Sequence, residues 1–155
     1  PGMDTMVVIV PDGDEREFGR VVPHEISHQV LFAATDNAYG PPPLWFDEGM
    51  ATHTQTGGTD HYAQMVANAL ADGTLFDIQA LDASFPYQPQ QATLAYASSW
   101  SMIAYIEERW GPEGIARLIE AFADGLGIDD AVPAALEISL DELNVAWKAW
   151  VEIND

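Results

Sequence analysis

Hydrophobic positions along this chain repeat mostly at helical spacing, with one exception near the start. Thr5 to Val10 is a β-branched run that stops at Pro-Asp-Gly, which predicts a strand and a turn. The polar, glycine-containing segment from Asp12 to Arg20 predicts a loop. The remaining pattern predicts helices, the first of which begins between Gly19 and Val22 and runs to about Ala34. The later helices are predicted over Leu44 to Gln55, Asp60 to Ala71, Thr93 to Trp110, Glu113 to Ala123, Ile128 to Leu136 and Leu140 to Ile153.

Proline and glycine mark where these helices end. Thr35 to Pro43 contains Gly40 and three consecutive prolines, so no helix crosses it. Gly111-Pro112 ends the longest helical pattern, and Leu75 to Pro89 predicts an ordered loop with short turns. Ser139 and Glu142 have the spacing of a capping box at the start of the last helix.

The first predicted helix has two distinct sides. Val22, Ile26, Val30 and Ala33 recur at helical spacing, and we expect this apolar stripe to lie in the core. The neighbouring side carries His28, and we expect it to open to a cleft.

The length and the apolar content favour a single domain over residues 1–155. A hydrophobic fraction of 48% in 155 residues is enough for a sizeable core. Residues 1–56 would hold the strand and the first two helices, and residues 57–155 a helical scaffold. The predicted fold class is therefore α+β, predominantly α-helical, with a short N-terminal edge strand. No stretch approaches the roughly 20 apolar residues of a membrane span, and the absence of cysteine excludes disulfides.

The chain is strongly acidic, with five Lys and Arg against 25 Asp and Glu and a net charge of −20. Phosphates and anionic lipid headgroups would be repelled, so nucleic acid and anionic membrane surfaces are not expected partners. We favour a solvated acidic surface that keeps the protein soluble. The alternative is a preference for cationic peptides or a high-salt habitat.

The candidate chemistry starts with His24-Glu25-Ile26-Ser27-His28. Side chains four apart lie on one helical face, where two imidazoles can share a zinc ion. Glu25 then lies beside the metal without ligating it and can act as general base. The alternative is a purely structural role, in which the helix carries two partly buried, hydrogen-bonded imidazoles.

Glu48 is the candidate third ligand, twenty positions after His28. Two His and one Glu form the ligand set of a catalytic zinc with an open fourth position. Asp47 is the rival, but in a helix it points about 100° away from Glu48. We expect Asp47 to lie behind the ligands or on the surface, and Gly49 to permit close approach of another helix.

Together, His24–His28 and Trp-Phe-Asp-Glu-Gly-Met-Ala (45–51) resemble the gluzincin metallopeptidases, and more narrowly the peptidase MA-like domains. The resemblance runs from about Val7 to Trp150. It implies a zincin-like fold, Zn²⁺ held by His24, His28 and Glu48, and hydrolysis of peptide or protein substrates with Glu25 as base. It also implies that the early strand, Met6 to Val10, is an edge strand above the metal; the alternative is an ordinary core strand.

The resemblance also points to Tyr96 as a second catalytic residue. In related gluzincin aminopeptidases, a Tyr opening the corresponding helix donates its hydroxyl to the oxyanion, and Tyr96 matches that position. The Lys-Gly that usually follows it is replaced here by Ser98-Ser99. The alternative role for Tyr96 is a packed aromatic of an amphipathic helix.

The sequence also bears on the kind of activity. Pro1 to Thr5 only faintly matches the Gly-x-Met-Glu-Asn segment that grips a substrate amine in aminopeptidases, so an endopeptidase is favoured. The alternatives are a zinc-binding pseudopeptidase or peptide-binding module without turnover, and an acidic helical domain with an accidental motif.

His53 and His61, near helix ends, are expected on the surface rather than in the cleft. An extracellular or cell-envelope location is favoured, with an N-terminal segment preceding Pro1.

Overall fold

The structure is a computed structural model that describes residues 15–55, 57 and 59–154. Within these residues the chain forms helices joined by turns and loops. They are α1 (Glu15–Ala34), α2 (Leu44–Thr54), α3 (Tyr62–Ala71), a 3-10 turn (Ile78–Leu81), α4 (Pro89–Ala123), α5 (Ile128–Leu136) and α6 (Leu140–Ile153). None of these described helices is long and apolar enough to cross a bilayer.

The α+β fold class predicted from the sequence is wrong. The described part of the chain contains only helices, turns and loops, with no strand or sheet. The prediction rested on the run Thr5 to Val10, which lies outside the described residues. Among the described residues, no segment adopts the extended conformation that could pair into a sheet.

Helix α4 is the centre of the described fold, because every other described helix packs against it. Phe46 from α2 and Phe122 from α4 are fully or almost fully buried, with their rings in edge contact at 5.1 Å. Trp147 from α6 is also fully buried, and its indole N–H donates to Ser101 Oγ at 3.0 Å. Each large buried side chain contributes roughly 1.5–3 kcal/mol from burial, so these aromatics fix α2 and α6 on α4.

Helix α4 is interrupted where the sequence predicts a stop. Gly111 has φ 69° and ψ −179°, a backbone conformation that favours glycine and takes it out of the helix. Pro112 follows and has no backbone N–H to continue the hydrogen-bond ladder. The predicted helix end near Trp110 and the start near Glu113 are confirmed, but the first part of α4 starts at Pro89 rather than at Thr93. The capping box is confirmed as well, because Ser139 N–H donates to Glu142 Oε2 at 2.8 Å and Glu142 N–H to Ser139 Oγ at 3.2 Å.

Helix α1 departs from its prediction in two ways. It begins at Glu15, so the loop predicted as far as Arg20 is wrong from Glu15 onward, and Pro23 lies inside the helix rather than in its first turn. The stripe expected in the core faces outward, with Ile26 46% and Val30 62% exposed.

The opposite face of α1 is the packed one, because Leu31 is buried there, and so is Thr35 directly after the helix. The two histidines share this side of the helix, which turns toward α2 and brings the third and fourth turns of α1 close to Glu48. The prediction that the apolar stripe lies in the core is therefore wrong, because α2 covers the side of α1 that carries the histidines.

The loop between α1 and α2 is held by the side chain of Asn37. Its Nδ2 donates to the Phe122 carbonyl at 2.9 Å and to the Thr35 carbonyl at 2.8 Å, while its Oδ1 accepts from Tyr39 N–H at 2.7 Å. The following Leu44 N–H donates to the Asp82 carbonyl at 2.8 Å. These bonds fix the point at which α2 starts and therefore where Glu48 lies.

Close packing of α2 on α4 depends on Gly49. A Cβ at this position would lie 2.7 Å from the Ser99 carbonyl oxygen and 2.8 Å from Ile103 Cγ1, closer than real contacts allow. Ser98 and Ser99 are small and fully buried on α4 at this crossing. The expectation that Gly49 permits close helix approach is confirmed.

Candidate metal centre

Two imidazoles meet on the face of α1 that turns toward α2. His24 and His28 are one turn apart, with ring centroids 4.8 Å apart and ring planes at 83°. Their Nε2 atoms are 3.2 Å apart, and the two side chains are 19% and 20% exposed. The same two nitrogens therefore point at one partly shielded spot.

Glu48 from α2 adds a carboxylate to that spot. Its Oε2 lies 3.5 Å from His24 Nε2 and 3.7 Å from His28 Nε2. The three ligand atoms form the His/His/carboxylate group that could hold a metal ion among the described residues. Asp47 is not part of this group, which favours Glu48 as the third ligand.

The spacing of these atoms fits a tetrahedral cation. Ligands at about 2.0–2.1 Å from a tetrahedral zinc stand roughly 3.3–3.4 Å from one another, close to the three observed separations. Glu48 Oε2 is buried and has no hydrogen-bond partner among the described residues. A buried carboxylate oxygen without a partner is costly, and a cation bound between these three groups would satisfy it.

Asp47 lies behind His28. Its Oδ1 is 2.7 Å from His28 Nδ1, on the other side of the ring from the Nε2 that faces Glu48. This hydrogen bond is the largest cause that raises the pKa of His28; burial opposes it, and the charges of Asp47, Glu48 and Glu25 add to it. A carboxylate on the far nitrogen fixes the tautomer and orientation of a metal-binding imidazole, so the contact suits His28 to ligate through Nε2.

A cleft of about 270 Å³ opens beside His24. The side chains that line it come from α1, α2 and the residue after it, α3 and α4, and they are Arg20, Val21, His24, Glu25, Thr52, Gln55, Tyr62 and Tyr96. Glu25 thus shares the cleft with His24 but is not one of the three converging groups. This is the position that a general base beside a metal requires.

Tyr96 lines the same cleft from α4. Its ring packs edge-on against Phe85 at 5.0 Å. Burial raises the pKa of Tyr96 most, and the charges of Glu48 and Glu25 and the neighbouring Tyr62 raise it further. The hydroxyl therefore keeps its proton near neutral pH and can donate a hydrogen bond in the cleft.

Neither of the other two histidines is among the side chains that line the cleft. His53 Nε2 is 2.9 Å from Glu107 Oε2 on α4. His61 is exposed, and its ring lies 4.8 Å from that of Tyr62. Both positions agree with the expectation that they are not cleft residues.

Sequence reasoning missed Arg20 and Tyr62 as cleft residues. The sequence predicts a loop as far as Arg20, but α1 extends back to Glu15, and the position of Arg20 four residues before His24 places both on the same face. The sequence predicts Tyr62 as an apolar position of the third helix, whereas it opens α3 and is only half-buried. No local pattern in the sequence indicates that α3 would bring its first residue to this cleft.

Comparison with known proteins gives one match. The family model described as the peptidase MA superfamily matches residues 3–153. No curated protein and no solved structure matches the chain significantly. The matched residues include the candidate metal ligands His24 and His28 on α1 and Glu48 on α2.

Proposed function

The chain belongs to the peptidase MA superfamily, and from this premise we propose that it is a zinc-dependent peptidase of the gluzincin type. Membership supports a peptidase-type, metallopeptidase-like function at the level of the superfamily. The observation that carries the finer proposal is the convergence of His24 Nε2, His28 Nε2 and Glu48 Oε2 beside a cleft that Glu25 lines.

The donor set favours zinc over the hard divalent cations. Mg²⁺ and Ca²⁺ prefer oxygen ligands throughout, whereas two imidazoles and one carboxylate are the protein ligands of many catalytic zinc sites. When bound, a zinc ion lowers the pKa of its water to about 7 and polarises a substrate carbonyl. Asp47 supports this site by holding the ring of His28 from behind.

Proton transfer is assigned to Glu25. Its carboxylate takes a proton from the attacking water and later passes that proton to the nitrogen of the leaving amine. As negative charge develops on the attacked carbonyl oxygen, the Tyr96 hydroxyl donates a hydrogen bond to it. The position of both side chains in one cleft supports this division of roles.

The substrate is a peptide or protein, and we favour cleavage within the chain over removal of N-terminal residues. The cleft is open to solvent and bordered by four helices, which suits an extended peptide passing through it.

Glu25→Gln tests the proposal directly. The change removes the base but no ligand, so we expect the variant to keep one zinc per chain and to lose roughly 10²- to 10⁴-fold in turnover of a fluorogenic peptide library. Glu152→Gln, on the exposed end of α6, makes the same charge change and should retain full activity. Undiminished turnover in Glu25→Gln would refute the mechanism. Wild-type protein that binds zinc and peptides without chelator-sensitive turnover would instead support the binding-module alternative.

A further inference from the structure

Arg20 brings a positive charge to the cleft. Arg20 and His24 are four residues apart on α1, so their Cα atoms are about 6 Å apart along the helix axis, and both side chains line the cleft. Arg20 is the one Lys or Arg among the described residues that line it. The whole chain has five Lys and Arg against 25 acidic residues, so a guanidinium in the cleft is an uncommon placement.

Tyr62 lines the cleft together with Arg20. It lines the same cleft from the first position of α3, and its ring packs edge-on against Trp100 at 6.1 Å. Burial raises the pKa of Tyr62, while the positive charge of Arg20 acts in the opposite direction. The hydroxyl of Tyr62 therefore lies within the electrostatic reach of the guanidinium.

The two tyrosines of the cleft experience opposite charges. The carboxylates of Glu48 and Glu25 act on Tyr96, whereas Arg20 acts on Tyr62. Arg20 therefore places a positive charge in the cleft one helical turn away from His24.

We propose that Arg20, with Tyr62 beside it, forms a subsite for a substrate carboxylate close to the scissile bond; this inference rests on the proposed peptidase function. An axial offset of about 6 Å corresponds to roughly two residues of extended peptide at about 3.3 Å each. A guanidinium matches a carboxylate with two parallel hydrogen bonds, and a phenol hydroxyl can donate a third. The carboxylate belongs either to an Asp or Glu side chain or to the C-terminus of the peptide.

Matched peptides separate these two sources. Four versions of one cleavable peptide carry Glu or Gln within two residues of the cleaved bond, each with a free or an amidated C-terminus. We expect wild-type kcat/KM to be roughly 10- to 100-fold higher for the version whose carboxylate reaches Arg20, chiefly through KM. Preference for Glu identifies the side chain, and preference for the free terminus identifies the terminal carboxylate.

Arg20→Gln should reduce the ratio of kcat/KM between the preferred peptide and its matched partner to near one. Arg20→Lys should restore part of this preference. Arg109→Gln is the matched control, because Arg109 is exposed over the Trp110 ring at 5.7 Å and its loss removes the same charge from the whole molecule. It should keep the full preference. An unchanged preference in Arg20→Gln, or equal wild-type rates on all four peptides, would overturn the subsite.

Binding to zinc-loaded Glu25→Gln protein gives a second readout that needs no turnover. Labelled forms of the four peptides should show the same carboxylate preference in Kd, and Arg20→Gln in that background should remove it. Carboxylate-selective binding without wild-type turnover would defeat the proposed peptidase function but support the subsite. An Arg20→Gln protein that loses zinc and affinity for all four peptides equally would assign Arg20 a structural role instead.

Discussion

Asp47 and Glu48 are adjacent in sequence yet approach different nitrogens of His28. Asp47 Oδ1 is 2.7 Å from Nδ1, whereas Glu48 Oε2 is 3.7 Å from Nε2. The rotation of about 100° per helical residue separates them, so one carboxylate can ligate a metal while the other orients the ring. This distinction followed from helix geometry in the sequence, although the contact between Asp47 and His28 did not.

Asp47→Asn should weaken zinc binding without removing a ligand. The amide cannot supply the charge that orients His28 and increases its basicity, and loss of such a partner typically costs about 10- to 100-fold in metal affinity. Competition with a chromogenic chelator measures the change. Asp72→Asn, at the exposed end of α3, removes the same charge away from the site and should bind zinc as the wild type does. Equal affinity in the wild type and in Asp47→Asn would remove Asp47 from the site.

The same variant should also change how stability depends on pH in metal-free protein. The pKa of His28 is raised above 6.5 in the folded state. The contribution of the protonated His28 to the free energy of unfolding is therefore fully present below pH 6.5, and it is lost as pH rises through the pKa of His28 in the folded protein. Urea unfolding should show a larger gap between wild type and Asp47→Asn at about pH 5.5 than at about pH 8.5. A gap that widens with rising pH would contradict the sign of the shift.

At the scale of the element, helix orientation was harder to predict than helix position. Proline, glycine and capping residues are local signals, and they placed most helix ends correctly, including the stop at Gly111 and the cap at Ser139. Which face of α1 becomes buried depends on where α2 docks. The stripe at Ile26 and Val30 has the right period for a core face and yet faces outward.

Gly49→Ala tests whether close packing of α2 on α4 positions Glu48. Alanine is favoured over glycine in a helix by about 0.8–1.0 kcal/mol, but its Cβ would lie 2.7 Å from the Ser99 backbone oxygen. Overpacking costs typically about 1–3 kcal/mol, so the variant should be less stable in urea and should bind zinc more weakly as Glu48 moves away.

The matched control is Gly127→Ala. Gly127 has φ −71°, and no atom lies within 4 Å of the point that an added methyl group would occupy, so an alanine there meets open space. It should lose at most the small preference of a helix N-cap for glycine and leave zinc affinity unchanged. Wild-type stability and zinc affinity in Gly49→Ala would show that the crossing of α2 and α4 does not set the site.

At the scale of the whole molecule, the net charge of −20 predicts a response to salt. Repulsion between like charges destabilises the compact state, and the screening length falls from about 30 Å at 0.01 M to about 3 Å at 1 M salt. For a solvated acidic surface we expect a protein that is folded at low salt and whose thermal midpoint rises gradually with sodium chloride. A protein that folds only near molar salt would favour the high-salt habitat.

The sequence supported the site better than the overall architecture. The chemistry is carried by two short helical motifs whose internal geometry is fixed, so His24, His28 and Glu48 could be paired before the fold was known. The fold class depended on a single run, Thr5 to Val10, whose high β-propensity predicted a sheet that the described residues do not contain. Cleft residues such as Tyr62 depend on how distant helices meet, which periodicity does not encode.

Metal stoichiometry tests the central claim most directly. Protein purified without chelator is analysed for zinc in the wild type, His24→Ala, Glu48→Ala and Glu152→Gln, with circular dichroism to verify folding. We expect one zinc per chain in the wild type and in Glu152→Gln, and a loss of zinc from folded His24→Ala and Glu48→Ala. A wild type that binds no zinc, or ligand variants that keep a full equivalent, would contradict the account.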